Sequence, residues 1–198
     1  HPSVDGINTF FISKQVNQKG FKMALSGAGS DELFAGYPVF KQVFELENKK
    51  WLYSFPRQLR NLFGKLLIKQ KQSLKSKKMA EILNLKLLQL PYFYPIFRKI
   101  LTNDAISMLT DIRNISYENY PFKWGLSEID SKKRGSRYPL ISKISALEIE
   151  TYLQNVLLRD ADQMGMANSL EIRVPFLDHN LVEYVLSLPN ELKFPSSP

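Results

Sequence analysis

The stretch ALSGAGSDELFAGY, residues 24–37, constrains the fold more than any other part of the chain. It begins at the end of the run FKMAL, residues 21–25, which predicts a short buried strand, and it leads into apolar residues that predict a helix. A strand, a glycine loop and a helix in this order are typical of α/β proteins, whose parallel sheets bind ligands where such a loop leaves the strand. Gly27 and Gly29 allow the backbone to approach a ligand closely or to adopt a positive φ.

The residues after these glycines support two interpretations. In the first, the N–H groups that begin the helix at Asp31 face an anion such as phosphate. Asp31 and Glu32 would then share a divalent cation with it, since Mg²⁺ is held by one or two carboxylates plus phosphate oxygens. In the second, Ser30 caps the helix and the carboxylates only complement its dipole. A single glycine loop does not distinguish the two.

Most of the remaining sequence predicts helices. Residues 5–19 predict a helix that Gly20 closes with a left-handed cap. Residues 41–140 predict helical pieces interrupted by prolines, at Pro56, Pro91, Pro95, Pro121 and Pro139. We interpret the chain as an α/β fragment, mainly helical, from one domain with three regions at 1–40, 41–141 and 142–198.

The C-terminal region contains a long predicted helix at 142–163 and then the segment RDADQMGMANSLEIRVPFLDHNLVEY at 159–184. Val174 is expected to be extended because it precedes a proline, and Asp178 is a suitable N-cap for a last helix that ends at Leu186.

Charged residues within this segment are spaced for ion pairing. Arg159 and Asp162 share a helix face, and Glu171 and Arg173 project the same way from an extended segment. A structural ion-pair network is the ordinary interpretation of such a pattern. We expect the methionines of the segment to fill the core: Met164 and Met166.

Composition excludes several classes of protein. With 198 residues and 44% hydrophobic residues, the chain predicts a globular domain, and its apolar runs are too short to span a bilayer. It has no cysteine, which excludes disulfides, thiolate metal sites and a cysteine nucleophile within these residues. That composition fits a reducing compartment, so we expect a cytoplasmic location.

The net charge of +8 is concentrated in one segment. Residues 49–78 contain ten Lys or Arg and no Asp or Glu, interleaved with apolar residues that have helical spacing from Leu59 to Leu67. Such a helix could bind an anionic membrane or nucleic acid. We favour the commoner interpretation, in which the apolar stripe packs on its own domain beneath a solvated basic face.

Two long motifs in order, LSGAGSDELFAGY and RDADQMGMANSLEIRVPFLDHNLVEYVLSLP, resemble the synthetase domain of the glutamine-hydrolysing asparagine synthetase family. The opening PSVDGINTFFISKQVNQKGFKMALSG is similar to the helix and strand that precede the loop in that family. The resemblance is close over residues 2–40 and 142–192 and loose in the basic middle.

The resemblance implies an ATP-pyrophosphatase domain, which is adenine-nucleotide α-hydrolase-like, with a parallel strand at the nucleotide loop and a helical C-terminal part. In the family, ATP adenylates aspartate, and ammonia from glutamine then displaces AMP. By this resemblance Ser26 and Gly27 bind the nucleotide and Asp31 holds Mg²⁺ at the pyrophosphate. The structural supports of the site would be Glu32, Arg159, Asp162, Glu171 and Arg173.

The sequence departs from the family pattern at three points. Ala28 stands where the family commonly has a glutamate that helps to form the acyl-adenylate, so no catalytic acid is identified. The family's phosphate loop, Ser-Gly-Gly-x-Asp-Ser, is not present, and its C-terminal lysine would fall beyond Pro198. With the glutaminase domain also absent, we expect a fragment that is inactive alone.

Three functions follow, in decreasing order of preference. The first is glutamine-dependent asparagine synthesis, with aspartate, ATP and ammonia as small-molecule substrates and no nucleic acid or membrane span. The second is amidation of another carboxylate, such as a sugar acid or peptide. The third is a basic membrane- or nucleic-acid-binding module, which only residues 49–78 support. The oligomeric state, including a homodimer, is left open.

Overall fold

The computed structural model describes residues 3–71, 73–101, 103–110 and 138–193. The chain divides into two compact units: unit one is His1–Phe40 with Ile129–Pro198, and unit two is Lys41–Glu128. The described part is mainly helical with one small parallel sheet, as the sequence predicts. Among the described residues, no helix has the length and apolar character needed to cross a membrane.

Unit one begins with helix α1, Val4–Gln18, whose N-cap Ser3 accepts a hydrogen bond from the Gly6 N–H at 2.9 Å. Gly20 follows the helix with φ +88°, which confirms the predicted left-handed cap. Strand β1, Met23–Leu25, comes next. The predicted helix and strand are therefore both present.

Strand β1 pairs in parallel with β2, Glu171–Arg173, and Leu25 lies opposite Arg173. The prediction of a buried strand is wrong, because Met23 and Leu25 are exposed. Alternate residues of a strand point to opposite faces of the sheet. Only the face of Ile172 packs on a neighbouring helix, and the described sheet has just these two strands.

Helical structure is continuous from 140 to 166, which confirms the predicted long helix. It consists of α8 (Leu140–Glu148), a π-helical segment (Ile149–Leu157) and α9 (Leu158–Met166). After β2, a 3-10 turn at Pro175–Leu177 leads to α10, His179–Ser187, and to α11, Asn190–Lys193. The Asp178 side chain accepts from the Asn180 and Leu181 N–H groups at 3.0 and 3.2 Å, which confirms the predicted cap.

Between β1 and unit two lie the one-turn helix α2, Ser30–Leu33, and the start of α3, Pro38–Glu47. Helix α2 packs on α8, and α1 packs on α9. Fully buried side chains of unit one come from α2, α3, α8 and the π-helical segment, among them Leu33, Phe40, Ile141, Ile144, Leu147 and Leu153. The helices thus hold the two ends of the described unit together around the β1–β2 pair.

In the described residues, unit two contains the rest of α3, a 3-10 turn at Lys50–Ser54 and four further helices: α4 (Arg57–Gln70), α5 (Leu74–Asn84), α6 (Leu90–Arg98) and α7 (Asn103–Leu109). Helices α4 and α5 pack against each other, and α5 contacts α6. The buried core of the unit includes Ile82, Leu83, Leu90, Phe93 and Ile96.

Three of the predicted proline breaks coincide with helix starts. Pro56 precedes α4, Pro91 lies in the first turn of α6, and Pro139 precedes α8. The predicted break at Pro95 is wrong, because Pro95 lies inside α6. Its ring is buried there with the apolar residues of the helix, and this burial offsets the loss of one backbone hydrogen bond. Pro121 lies outside the described residues.

The prediction that the apolar stripe of helix α4 packs on its own domain is also wrong. Its buried residues are Arg60 and Gly64, and the predicted apolar stripe is 38–64% exposed at Leu59, Leu62, Phe63, Leu66 and Leu67. A Cβ on Gly64 would lie 3.1 Å from the Ala80 Cβ, so α4 contacts α5 through its glycine side. The close approach of the two backbones turns the leucines outward.

Candidate functional site

The loop between β1 and α2 begins at the carboxyl end of the parallel pair. The Ser26 N–H donates to the Arg173 carbonyl at 2.8 Å, and this bond extends the β1–β2 ladder by one residue. The Ala28 N–H then donates to the Ser26 hydroxyl oxygen at 3.2 Å, and the Ser30 N–H donates to the Gly27 carbonyl at 3.2 Å. These bonds fold residues 26–30 into a tight turn at the edge of the sheet.

The two glycines of this turn have different surroundings. Gly29 has φ +95°, and a Cβ there would lie 2.6 Å from the Leu177 Cδ2 atom, so backbone conformation and space both require glycine. Gly27 is exposed, and a Cβ on it would meet nothing within 4 Å. The open side of the turn is therefore at Gly27, where a ligand can approach the backbone.

The predicted cap at Ser30 is wrong. Gly29 is the N-cap of α2, and no side chain caps the helix, because Ser30 is already its first residue. In the described part of the chain, the N–H groups of Gly27, Asp31 and Glu32 donate to no backbone oxygen. The start of the helix thus leaves several donors for another acceptor.

The adjacent carboxylates Asp31 and Glu32 lie in opposite environments. Glu32 is 1% exposed and accepts a hydrogen bond from the Tyr37 hydroxyl at 2.9 Å. Burial, and next the bond to Glu32, raises the pKa of Tyr37 well above its ordinary value, so it stays protonated as the donor. Glu32 is consequently committed to the interior of unit one.

Asp31 is exposed and lies against Gly36, where any Cβ would overlap the Asp31 carboxylate. The Gly36 N–H donates to the Asp31 carbonyl at 2.9 Å, which closes the turn after α2. The described residues contain no cluster of three or more Asp, Glu or His with metal-binding geometry. A single exposed carboxylate fits Mg²⁺ only together with phosphate oxygens, which is the donor set that Mg²⁺ uses with nucleotides.

The structure brings the two sequence motifs together. The β1–β2 register places Arg173 opposite Leu25, directly before Ser26. The second motif also reaches the loop through Leu177, which packs on Gly29, and Phe176, whose ring lies edge-on to that of Phe34 at 6.3 Å. Two segments well over a hundred residues apart therefore form one edge.

Of the charged residues of the second motif, Glu171 and Arg173 pair as their spacing predicts, but no network joins them to Arg159 and Asp162 within the described residues. Arg173 Nε and Glu171 Oε1 pair at 2.9 Å, but both side chains are largely exposed, so this pair contributes little stability. Arg159 and Asp162 are exposed and form no salt bridge within the described residues. Asp162 and Glu171 instead line one cavity of about 210 Å³ beside β2.

Asp160 was missed by the sequence analysis and is the buried carboxylate of this motif. Its Oδ2 atom accepts from the Ser3 hydroxyl, and Gly6 packs on the carboxylate at 3.1 Å from where a Cβ would lie. It therefore ties α9 to the start of α1. Helical spacing does not reveal which of three neighbouring charges faces inward, although Gly6 at the facing turn is a signal.

The methionines divide between the two environments. Met164 is half-buried, as expected for a core residue, but Met166 is 61% exposed and lines the cavity beside β2. The prediction that Met166 fills the core is wrong, because its side chain faces the open cavity beside β2 rather than the interior.

These features define an α/β protein in which two distant sequence motifs meet at the carboxyl end of a parallel strand pair. The family model for asparagine synthase matches residues 3–197, and the chain belongs to this family.

Individual relatives agree with this assignment. The chain is 30% identical over 189 residues to asparagine synthetase [glutamine-hydrolyzing] 1 of Bacillus subtilis, covering 94% of this chain and 28% of that protein. It is 29% identical over 180 residues to asparagine synthetase [glutamine-hydrolyzing] 3 of the same organism, covering 89% of this chain and 22% of the relative. It is also 23% identical over 219 residues to amidase chyE of Penicillium rubens, covering 97% and 29%.

The chain thus spans between about a fifth and a third of the length of these relatives. No solved structure matches it significantly.

Proposed function

We propose that this chain is part of a glutamine-dependent asparagine synthase, a ligase that uses ATP to amidate aspartate. A side-chain carboxylate oxygen of aspartate attacks the α-phosphorus of ATP, and pyrophosphate leaves. Ammonia derived from glutamine then attacks the acyl carbon, and AMP leaves as the amide forms. The observation that supports this proposal best is the β1–β2 pair, which joins both family motifs at one sheet edge.

In this proposal the sheet belongs to an ATP-pyrophosphatase domain, and the loop at its edge binds the nucleotide. Gly27 offers an open side for phosphate oxygens. The Ser26 oxygen already accepts from the Ala28 N–H, so its hydroxyl proton is directed toward another acceptor. The backbone N–H groups of Gly27 and Asp31 supply further donors for a phosphate.

Asp31 would hold Mg²⁺ at the pyrophosphate in this arrangement. The ion would neutralise charge on the leaving group when bound. Asp31 suits that role because its carboxylate is exposed beside the loop and the turn closed at Gly36 fixes its backbone. Glu32 does not, because its carboxylate is buried and accepts from Tyr37.

Ala28 supports a second candidate for the carboxylate substrate. This half-buried residue has no carboxylate with which to transfer a proton or to position ammonia. The chain is also similar to amidase chyE, a protein named an amidase rather than a synthetase, which supports a different amide chemistry as the alternative. Amidation of a different carboxylate, such as a sugar acid or peptide, is therefore the alternative, and either reaction is consistent with a cytoplasmic enzyme.

Carboxylate-dependent exchange of pyrophosphate into ATP, measured on the full-length protein, tests these proposals. Exchange that requires aspartate and Mg²⁺ supports asparagine synthesis. Exchange that requires another carboxylate supports the alternative. The Ser26→Ala variant should lose nucleotide affinity, whereas Ser187→Ala, at the exposed end of α10, is the matched control. Full affinity for ATP after Ser26→Ala would contradict the assignment of the loop.

A further inference from the structure

Helix α4 of unit two presents an apolar face away from the helix that it packs on. Arg60 and Gly64 face α5, and the Arg60 guanidinium donates to the Leu83 and Leu85 carbonyls at 3.1 Å. The outward apolar face has the spacing of one side of a helix, with all members exposed: Leu59, Leu62, Phe63, Leu66 and Leu67. A helix whose leucines point away from its own domain has a surface to cover.

This face continues into the residues that precede the helix. Trp51 is 61% exposed and its ring lies edge-on to that of Phe55 at 6.0 Å. Together with Phe63 and Leu67 they line an apolar cavity of about 500 Å³ that opens beside the face. We call the residues from Trp51 to Leu67 that are both apolar and exposed the α4 surface.

Positive charge borders the α4 surface along one edge. Lys65 and Lys69 follow Leu62 and Leu66 by three positions each, so they border the apolar face on the helix. Both lysines are exposed, and neither forms a salt bridge within the described residues. No Asp or Glu occurs anywhere between residues 49 and 78. A partner that is both apolar and negatively charged therefore complements this surface best.

We propose that the α4 surface binds the surface of an anionic lipid bilayer. A helix with leucine and phenylalanine on one side and lysine at the border lies in a bilayer interface with its apolar side among the acyl chains. The lysines then meet the lipid phosphates, and Trp51 lies at the level of the headgroups, where tryptophan is enriched. The cavity lined by Trp51 and Phe63 gives room for an acyl chain.

Nucleic acid suits the surface less well. Phosphate backbones bind lysine and arginine, but they leave large aliphatic side chains such as Leu62 and Leu66 in contact with water. Lipid covers both the charge and the apolar area. The proposal does not depend on the reaction proposed above.

Vesicle co-sedimentation of the full chain tests the proposal. We compare phosphatidylcholine vesicles with vesicles that also contain phosphatidylglycerol, and we expect at least about tenfold stronger partition to the anionic ones. Raising the salt from about 0.1 M to about 1 M should release much of the protein. In a Trp124→Phe background Trp51 is the one remaining tryptophan, and its emission should shift to the blue on binding.

Matched variants distinguish binding through the α4 surface from nonspecific binding to vesicles. The double variant Leu62→Ser and Leu66→Ser should reduce partition at least about tenfold, since both side chains are more than half exposed and do not hold the fold. Leu87→Ser with Leu192→Ser, also exposed, should not change it. Lys65→Glu with Lys69→Glu should reduce binding, whereas Lys14→Glu with Lys19→Glu, exposed in unit one, should do so only slightly.

Three results would overturn the proposal. The first is no binding to anionic vesicles at low salt. The second is equal loss of binding in the α4 and control variants. The third is tight binding of single-stranded RNA at the α4 surface with no vesicle binding, which would assign the surface to nucleic acid instead.

Discussion

Gly29 in unit one and Gly64 in unit two each bring a backbone against a neighbouring side chain, but the groups exposed on the opposite side of the backbone differ. At Gly29 the loop closes onto Leu177 and leaves polar N–H groups at its open side. At Gly64 helix α4 closes onto Ala80 and leaves leucines on its outer side. One glycine thus exposes polar donors, for which we propose phosphate, and the other exposes apolar side chains, for which we propose lipid.

For the loop at Gly29, the largest effect is expected from Asp31→Asn in the full-length protein. A neutral amide is a far poorer Mg²⁺ ligand than a carboxylate, so pyrophosphate exchange at limiting Mg²⁺ should fall on the order of a hundredfold. Excess Mg²⁺ should recover part of it. Glu183→Gln, an exposed carboxylate on α10, is the control and should change nothing. Unchanged exchange in Asp31→Asn would show that Asp31 is only a charge at a helix terminus.

The Ala28→Glu variant tests which carboxylate substrate is accepted at the loop. If the natural substrate is aspartate, the added carboxylate should raise aspartate-dependent exchange on the order of a hundredfold, as positioned acids and bases do. If another carboxylate is the substrate, glutamate should exclude it by bulk and like charge. A wild-type protein that is already fast on aspartate, and slowed by the substitution, would show that alanine is compatible with asparagine synthesis. Ala28→Gln separates the effect of charge from that of size.

Gly29→Ala should destabilise unit one by about 2–4 kcal/mol, because it combines a left-handed φ with overlap at Leu177. Urea unfolding of the chain measures the change. Gly20→Ala is the control, since Gly20 also has a positive φ but has nothing within 4 Å of an added Cβ. It should therefore cost only the strain, about 1–2 kcal/mol. Equal losses for the two variants would mean that Leu177 moves away freely.

Local sequence was sufficient to predict the helices and the strand around the loop, but not to predict which face of each element is buried. The helix capped at Gly20, the parallel strand and the Asp178 cap follow from neighbouring residues, and all three are present. The burial of β1 and the orientation of α4 depend on what packs on each face, which no local pattern contains. For the same reason the inward-facing Asp160 was missed beside the outward-facing Arg159 and Asp162.

Each unit contains a buried cation, and only the one in unit one is expected to make stability depend on pH. In unit two Arg60 is stacked 3.9 Å above the Tyr53 ring and keeps its charge at all relevant pH values. In unit one Lys193 is buried and donates to the Ser142 hydroxyl, and burial lowers its pKa from 10.5 to about 8. The folded state releases this proton first, so stability should rise between about pH 8 and pH 10.5 as the cost of the buried charge disappears.

Lys193→Met should remove that rise. Across this pH range the free energy of unfolding of wild type should rise by up to about 3 kcal/mol more than that of the variant. The difference isolates Lys193 from other groups that titrate there, such as Tyr53, whose pKa burial raises. Parallel pH profiles for the two proteins would show that Lys193 is hydrated in solution.

The smallest expected effect is that of Gly64→Ala. An added Cβ would lie 3.1 Å from the Ala80 Cβ and 3.2 Å from its Cα, which forces α4 and α5 slightly apart and costs about 1–3 kcal/mol. Alanine also favours a helix interior over glycine by about 1 kcal/mol, so the net loss should be near 1 kcal/mol. Urea unfolding should therefore rank this variant below Gly29→Ala, where no propensity term compensates. Because the leucines already point outward, vesicle partition should not change. A loss as large as that of Gly29→Ala, or altered partition, would show that the α4–α5 contact also determines the α4 surface.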